Sequence, residues 1–182
     1  ENYLKAVNNL LKAQSKLNML TEFKQTLKRF DEIHDYKNTT GSRVLQVILF
    51  KYEAINKINY YFLTGNFWQG SRIIQPIRIE LEQYQPYIDK HNILIFYYKF
   101  ACMYFGMEEY QQASTWLTQI INTRDEGLRS DIYGFARILN LICHYELANE
   151  DLVDYYIRST YQYLSKHGDL QQFDRYIMDF LK

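Results

Sequence analysis

Three segments of the sequence resemble one another and recur at an almost constant interval. They are TGNFWQG at 64–70, MEEYQQA at 107–113 and NEDLVDY at 149–155. Phe67, Tyr110 and Leu152 hold equivalent places in these segments and lie 43 and 42 residues apart. Each segment follows a stretch with the apolar periodicity of a helix and opens another such stretch. A two-helix unit that recurs at this interval is typical of an α-helical repeat array, so the sequence predicts an all-α fold.

Apolar periodicity and the glycines between periodic stretches predict nine helices and no strand. Their predicted ranges are 2–16, 20–36, 44–63, 67–84, 90–105, 109–123, 129–147, 151–166 and 170–182, with turns marked by Gly41, Gly65, Gly106, Gly127 and Gly168. Pro86 is predicted to end the fourth helix. Pro76 falls inside it and is predicted to kink it, because proline removes one backbone hydrogen bond and clashes with the preceding turn.

The composition argues against several classes of partner. Lys and Arg number 21 and Asp and Glu also number 21, so no net charge draws the chain to nucleic acid or to anionic lipid. The longest apolar run, 93–98, is far shorter than the ~20 residues of a membrane span, and no leader pattern opens the sequence. Cys102 and Cys143 are interpreted as reduced, buried thiols. We therefore expect a soluble, cytoplasmic protein; the first residue, Glu1, suggests a fragment of a longer one.

The third unit carries a specific pattern of large and small residues. Its eight positions are large, large, small and Tyr on one helix, then aromatic, Ala, large and apolar on the next: Tyr97, Phe100, Ala101, Tyr104, Tyr110, Ala113, Leu117 and Ile120. This pattern resembles the tetratricopeptide repeat. The second unit keeps most of it but has Lys57 where an apolar residue is expected. The period of about 42–44 residues departs from the usual ~34.

The flanking units match this pattern less well. The first retains Leu10, Ala13, Leu17, Phe23, Thr26, Phe30 and Ile33. In the fourth, Leu139, Ile142 and Cys143 fit, whereas Glu146, Tyr155 and Gln162 do not. A shift of one residue, to Val153, Tyr156, Thr160 and Tyr163, fits its second helix better.

The resemblance implies a right-handed α-α superhelix of four antiparallel helix pairs in a single domain. The repeats would span 1–37, 44–86, 89–126 and 128–167, and an apolar helix at 169–182, with Leu170, Phe173, Ile177, Met178 and Leu181, would cap the last of them.

No catalytic or cofactor motif accompanies this array. The sequence contains no phosphate-binding glycine loop, no HExxH and no CxxC pair, so we expect a protein without a cofactor that is not an enzyme. Asp31, His34 and Asp35 would share one helix face, but they supply at most three metal ligands. We interpret them as a solvated helix end.

In tetratricopeptide proteins the first helix of each pair lines a concave groove. Carried over position by position, the resemblance implies a partner groove formed by Tyr52, Asn59, Tyr98, Cys102, Phe105, Arg137, Asn140 and His144. Arg137, Asn140 and His144 would then bind the backbone or a carboxylate of a peptide. The competing interpretation is that His144 and Cys102 are packing residues.

Three functions remain open at this stage. The leading hypothesis is a non-catalytic scaffold that holds a protein segment or peptide in the concave face. The second is a sensor or regulatory domain of a larger bacterial signalling or transcription-regulating protein. The third, a distant alternative, is an all-helical enzyme with an aromatic groove, and it lacks the paired acids or metal ligands that such chemistry requires.

Overall fold

The computed structural model describes residues 1–37, 42–123, 130–167 and 172–180, and these residues are helical almost throughout. The fold is all-α as predicted, and no strand occurs within those ranges. The elements are α1 Asn2–Lys16, α2 Leu20–Lys37, α3 Arg43–Thr64, α4 Phe67–Ser71, α5 Ile74–Tyr84, a 3-10 turn Gln85–Tyr87, α6 Lys90–Phe105, α7 Tyr110–Ile121, α8 Ser130–Glu146, α9 Glu150–His167 and α10 Gln172–Phe180. None of these helices is both long and apolar enough to cross a membrane.

The predicted fourth helix is broken rather than kinked. The structure divides it into α4 and α5, with Arg72 and Ile73 between them. Pro76 has no N–H to donate to the carbonyl of Arg72, four residues earlier, so the regular ladder cannot pass this point. The backbone N–H groups of Arg72 and Ile73 bond three residues back instead, to Gln69 and Gly70. The prediction of a kink was therefore wrong in degree, although its cause was correct.

The chain forms two compact units, residues 1–89 and 90–182. In the first, α1, α2 and α3 pack on one another around Leu4, Val7, Leu11, Phe23, Phe30 and Leu49. In the second, α6, α7, α8 and α9 pack in chain order around a larger core that includes Ala101, Ala113, Leu117, Tyr133, Leu141 and Leu164. Helix α10 joins this core through buried Met178 and half-buried Ile177.

One turn geometry recurs four times. Asn18, Gly65, Glu108 and Ala148 have left-handed backbone conformations, with φ of 54°, 65°, 63° and 54°. In each case the following residue donates its N–H five residues back, and the left-handed residue itself donates three residues back. These two backbone hydrogen bonds together form the Schellman motif, which ends a helix and satisfies its last carbonyls. The next helix starts two residues after each left-handed residue and packs back against the first.

These turns give a register for the repeats that differs from the sequence alignment at both ends. The third unit is in register: Phe100, Ala101, Ala113, Leu117 and Ile120 are all buried. In the first unit, Phe23, Thr26 and Phe30 of the second helix are buried as the alignment expects, but Leu10, Ala13 and Leu17 of the first helix are exposed, Leu17 by 70%. Val7 and Gln14, three residues before Leu10 and Leu17, are buried instead. In the fourth unit, the left-handed Ala148 lies 40 residues after Glu108, two fewer than the 42 that the alignment assumed.

Candidate functional site

In the compact unit 1–89, the predicted groove residues Tyr52 and Asn59 lie on α3 and are half-buried. Tyr52 packs against the core of this unit, and the Lys51 ammonium lies 5.4 Å from the centre of its ring. Asn59 shares the same helix face, seven residues later.

In the compact unit 90–182, Tyr98, Cys102 and Phe105 form a half-buried stripe on α6. Tyr98 and Cys102 are in side-chain hydrogen-bonding contact, and burial raises the pKa of both groups. Burial also raises the pKa of Cys143 to about 12. Both cysteines are free thiols. Protonated thiols at neutral pH are poor nucleophiles, so these residues supply packing and contact area rather than covalent chemistry.

The three polar residues that were expected to face a partner are engaged inside the helix packing. Asn140 is completely buried and His144 nearly so. The Ser114 hydroxyl on α7 donates to Asn140 Oδ1 at 2.8 Å and lies 3.4 Å from His144 Nε2. Asn149 Nδ2 lies 3.1 Å from His144 Nδ1. Neutral His144 with its proton on Nε2 fits these three contacts, while Asn140 Nδ2 is buried without a hydrogen-bond partner among the described residues.

Aromatic contacts complete the enclosure of these polar groups. The His144 ring stacks on Tyr156 of α9 with centroids 4.5 Å apart. The guanidinium of Arg137 lies 4.5 Å from the centre of the Tyr163 ring, and its Nη1 is 3.4 Å from Ser159 Oγ. The expectation that Asn140 and His144 present open hydrogen-bonding groups was therefore wrong. Arg137 also contacts α9 rather than open solvent alone.

Asn140 and His144 are buried rather than open because the fourth repeat unit has a different register from the one that the sequence alignment assumed. A shift of two residues turns a side chain by about 200° around the helix axis, which exchanges the open face for the packed face. When the turn at Ala148 sets the register, the positions equivalent to Ile95, Tyr98, Cys102 and Phe105 of α6 are, in that order, Phe135, Ile138, Ile142 and Tyr145. Phe135 is 57% exposed, Ile142 is half-buried and Tyr145 is 44% exposed, whereas Ile138 is buried. The left-handed Ala148 is not visible in the sequence, so the alignment missed these residues.

A cleft opens where this corrected stripe meets α10. It has a volume of about 330 Å³ and is lined by Ile142, Tyr145, Glu146, Tyr176, Ile177 and Phe180. We call it the terminal cleft. The rings of Tyr145 and Phe180 lie 6.4 Å apart, and Tyr176 and Phe180 are 63% and 78% exposed. Large aromatic side chains on neighbouring helices thus leave a small apolar cleft exposed to solvent.

Nothing in the described residues favours a metal centre. No group of three His, Cys, Asp or Glu side chains in the described part of the chain is close enough to hold an ion. The side chains of Asp31, His34 and Asp35 lie outside the described residues.

Searches of protein-family models, of curated proteins and of solved structures each found no match to this chain. The tetratricopeptide resemblance therefore depends on the residue pattern alone.

Proposed function

We propose that the chain is a non-catalytic interaction module that holds a protein segment or peptide in the terminal cleft of its compact unit 90–182. The observation that carries this proposal is the set of exposed rings, Tyr145, Tyr176 and Phe180, around one apolar cleft. Rigid aromatic side chains bury a large area at a small cost in conformational entropy, and they dominate the binding energy of many protein interfaces.

The size of the cleft favours a short apolar anchor. A volume of about 330 Å³ lies at the lower end of the range for ligand pockets, which is enough for one or two large side chains. The rim carries one acidic residue, Glu146, beside the otherwise apolar lining. A partner segment with an aromatic or aliphatic anchor flanked by a basic or neutral polar residue would match this lining. The lining has a single carboxylate, that of Glu146, rather than the pair that general acid–base chemistry would use.

Selection of peptides from a random display library on the whole chain tests this proposal. We expect enriched peptides to share an apolar anchor and to bind the purified chain. The double variant Tyr145→Ser/Phe180→Ser should weaken their binding by about tenfold or more, because truncation of a central aromatic anchor commonly costs ~1–2 kcal/mol or more.

A matched control removes two other exposed tyrosines, as Tyr3→Ser/Tyr155→Ser, and should leave binding unchanged. Circular dichroism shows whether both variants keep their helices. If the selection returns no peptide, or if both double variants bind the selected peptides as tightly as the unchanged chain, the terminal cleft is not the binding site.

A further inference from the structure

The compact unit 1–89 contains a second cleft whose lining is basic and aromatic. It has a volume of about 320 Å³ and lies between α2, α3 and the break that separates α4 from α5. We call it the lysine cleft. Lys24 and Lys28 of α2 stand on its rim, Lys57 of α3 lines it, and Tyr60 and Tyr61 form much of its floor. Leu27 and Ile73 complete the lining, which includes no carboxylate.

The aromatic floor is fixed in place by the core of the unit. Tyr60 stacks on Phe23, which is completely buried, with ring centroids 6.5 Å apart and planes 17° from parallel. Tyr61 meets Tyr60 edge to face at 5.6 Å. A ligand would therefore meet side chains that are already ordered, which reduces the entropy lost on binding.

Charges are sorted between the lysine cleft and its neighbour. Lys57 and Ile73 also line an adjoining cleft of about 210 Å³, and this neighbour carries the carboxylates of Glu53 and Glu80. The Lys57 ammonium pairs with Glu53 at 2.5 Å across that boundary. The resemblance to tetratricopeptide repeats leads one to expect an apolar residue at position 57. The lysine found there lines both clefts and pairs with the carboxylate in the neighbour, so the basic character of the lysine cleft comes from Lys24 and Lys28.

From this sorting we infer that the lysine cleft binds an acidic peptide segment in which acidic and apolar residues alternate. The spacing of the rim supports an extended chain. Lys24 and Lys28 are four residues apart on a helix, which is about 6 Å along its axis. Alternate side chains on one face of an extended peptide are ~6.6–6.8 Å apart, so two acidic residues can meet the two ammonium groups. The apolar residues between them face the other way, toward Tyr60, Tyr61 and Ile73.

Fluorescence anisotropy with a synthetic probe tests this inference on the whole chain. The probe is a fluorescein-labelled, C-terminally amidated peptide of alternating Phe and Glu residues. We expect binding that weakens as the salt concentration rises from about 0.05 to about 0.5 M, because exposed charge pairs are screened. A matched peptide with Gln in place of Glu should bind about tenfold more weakly.

The chain offers a closely matched control for the rim lysines. Lys12 and Lys16 lie on α1 with the same spacing of four residues and the same exposed character. Lys24→Gln/Lys28→Gln should weaken probe binding by about tenfold, and Lys12→Gln/Lys16→Gln by less than about twofold. Equal weakening by the two pairs would mean a general charge effect and would overturn the inference. So would equal affinity for the Glu and Gln peptides, or binding of phenylacetate without binding of the peptide.

Discussion

The left-handed turns predict that replacing alanine by glycine raises the free energy of unfolding at Ala148 and lowers it at Ala6. They also predict that the reverse substitution, Gly65→Ala, lowers it. At Gly65, with φ of 65°, an added Cβ would meet no other atom within 4 Å, so Gly65→Ala changes backbone strain and not packing. A non-glycine residue in this conformation costs ~1–2 kcal/mol, and the lower entropy of the unfolded chain offsets ~0.4–1 kcal/mol of that cost. The free energy of unfolding should therefore fall by about 1 kcal/mol.

Ala148 is the opposite case, because alanine already occupies the left-handed position there. Ala148→Gly should raise the free energy of unfolding by about 1 kcal/mol, by the same balance of terms. Ala6 provides the control, since it is exposed in the middle of α1. Ala6→Gly should lower the free energy of unfolding by about 1 kcal/mol.

Urea denaturation followed by circular dichroism measures all three variants. A change in midpoint at constant slope reports a change in stability. If Ala148→Gly and Ala6→Gly shift the midpoint in the same direction, the left-handed turn at Ala148 is wrong, and with it the register of the fourth unit.

Three further predictions follow from buried positions. Ala113→Phe should lower the free energy of unfolding by ~1–3 kcal/mol or more because Ala113 is completely buried, whereas Gln112→Phe at the exposed neighbour should change it little; equal melting temperatures would contradict this. Burial lowers the pKa of His144 below its ordinary 6.5, so the unfolded chain takes up a proton first as the pH falls. Stability should therefore decrease below pH 6.5, and less so in His144→Gln. Burial also lowers the pKa of Lys99 from 10.5 to about 8, so the free energy of unfolding of the unchanged chain, taken relative to that of Lys99→Met, should rise with pH across that interval. The raised pKa values of Tyr98, Cys102 and Cys143 lower the stability of both proteins at high pH and cancel from this difference. Denaturation midpoints measured across pH test both of the latter.

The helices could be predicted from the sequence because their signals are local. Apolar periodicity and the glycines between periodic stretches predicted the observed ends of α6. They predicted the ends of most other helices to within one or two residues. The break before Pro76 was harder to foresee, since a proline in the first turn of a new helix and a proline inside a kinked one give the same apolar pattern.

The side chains of the candidate site were less predictable, because they depend on register. The match at Ala113 gave the correct buried face of α7, but a two-residue error in the fourth unit put buried His144 in the place of half-buried Ile142. The signal that sets the register is a left-handed residue, and only Gly65 among the four indicates it by residue type. The superhelical arrangement and the tetratricopeptide relationship stay predictions.

The hydrogen-bonded chain of Ser114, Asn140 and His144 bears on how helices of similar composition avoid mispairing during folding. Aromatic and aliphatic faces tolerate a slip of one helical turn, because one ring can replace another at modest cost. A slip of α7 against α8 would instead leave these buried polar groups without partners, at ~1–3 kcal/mol for each. These polar contacts therefore favour one register of α7 against α8, and they raise the free energy of the shifted registers that a purely apolar interface would allow.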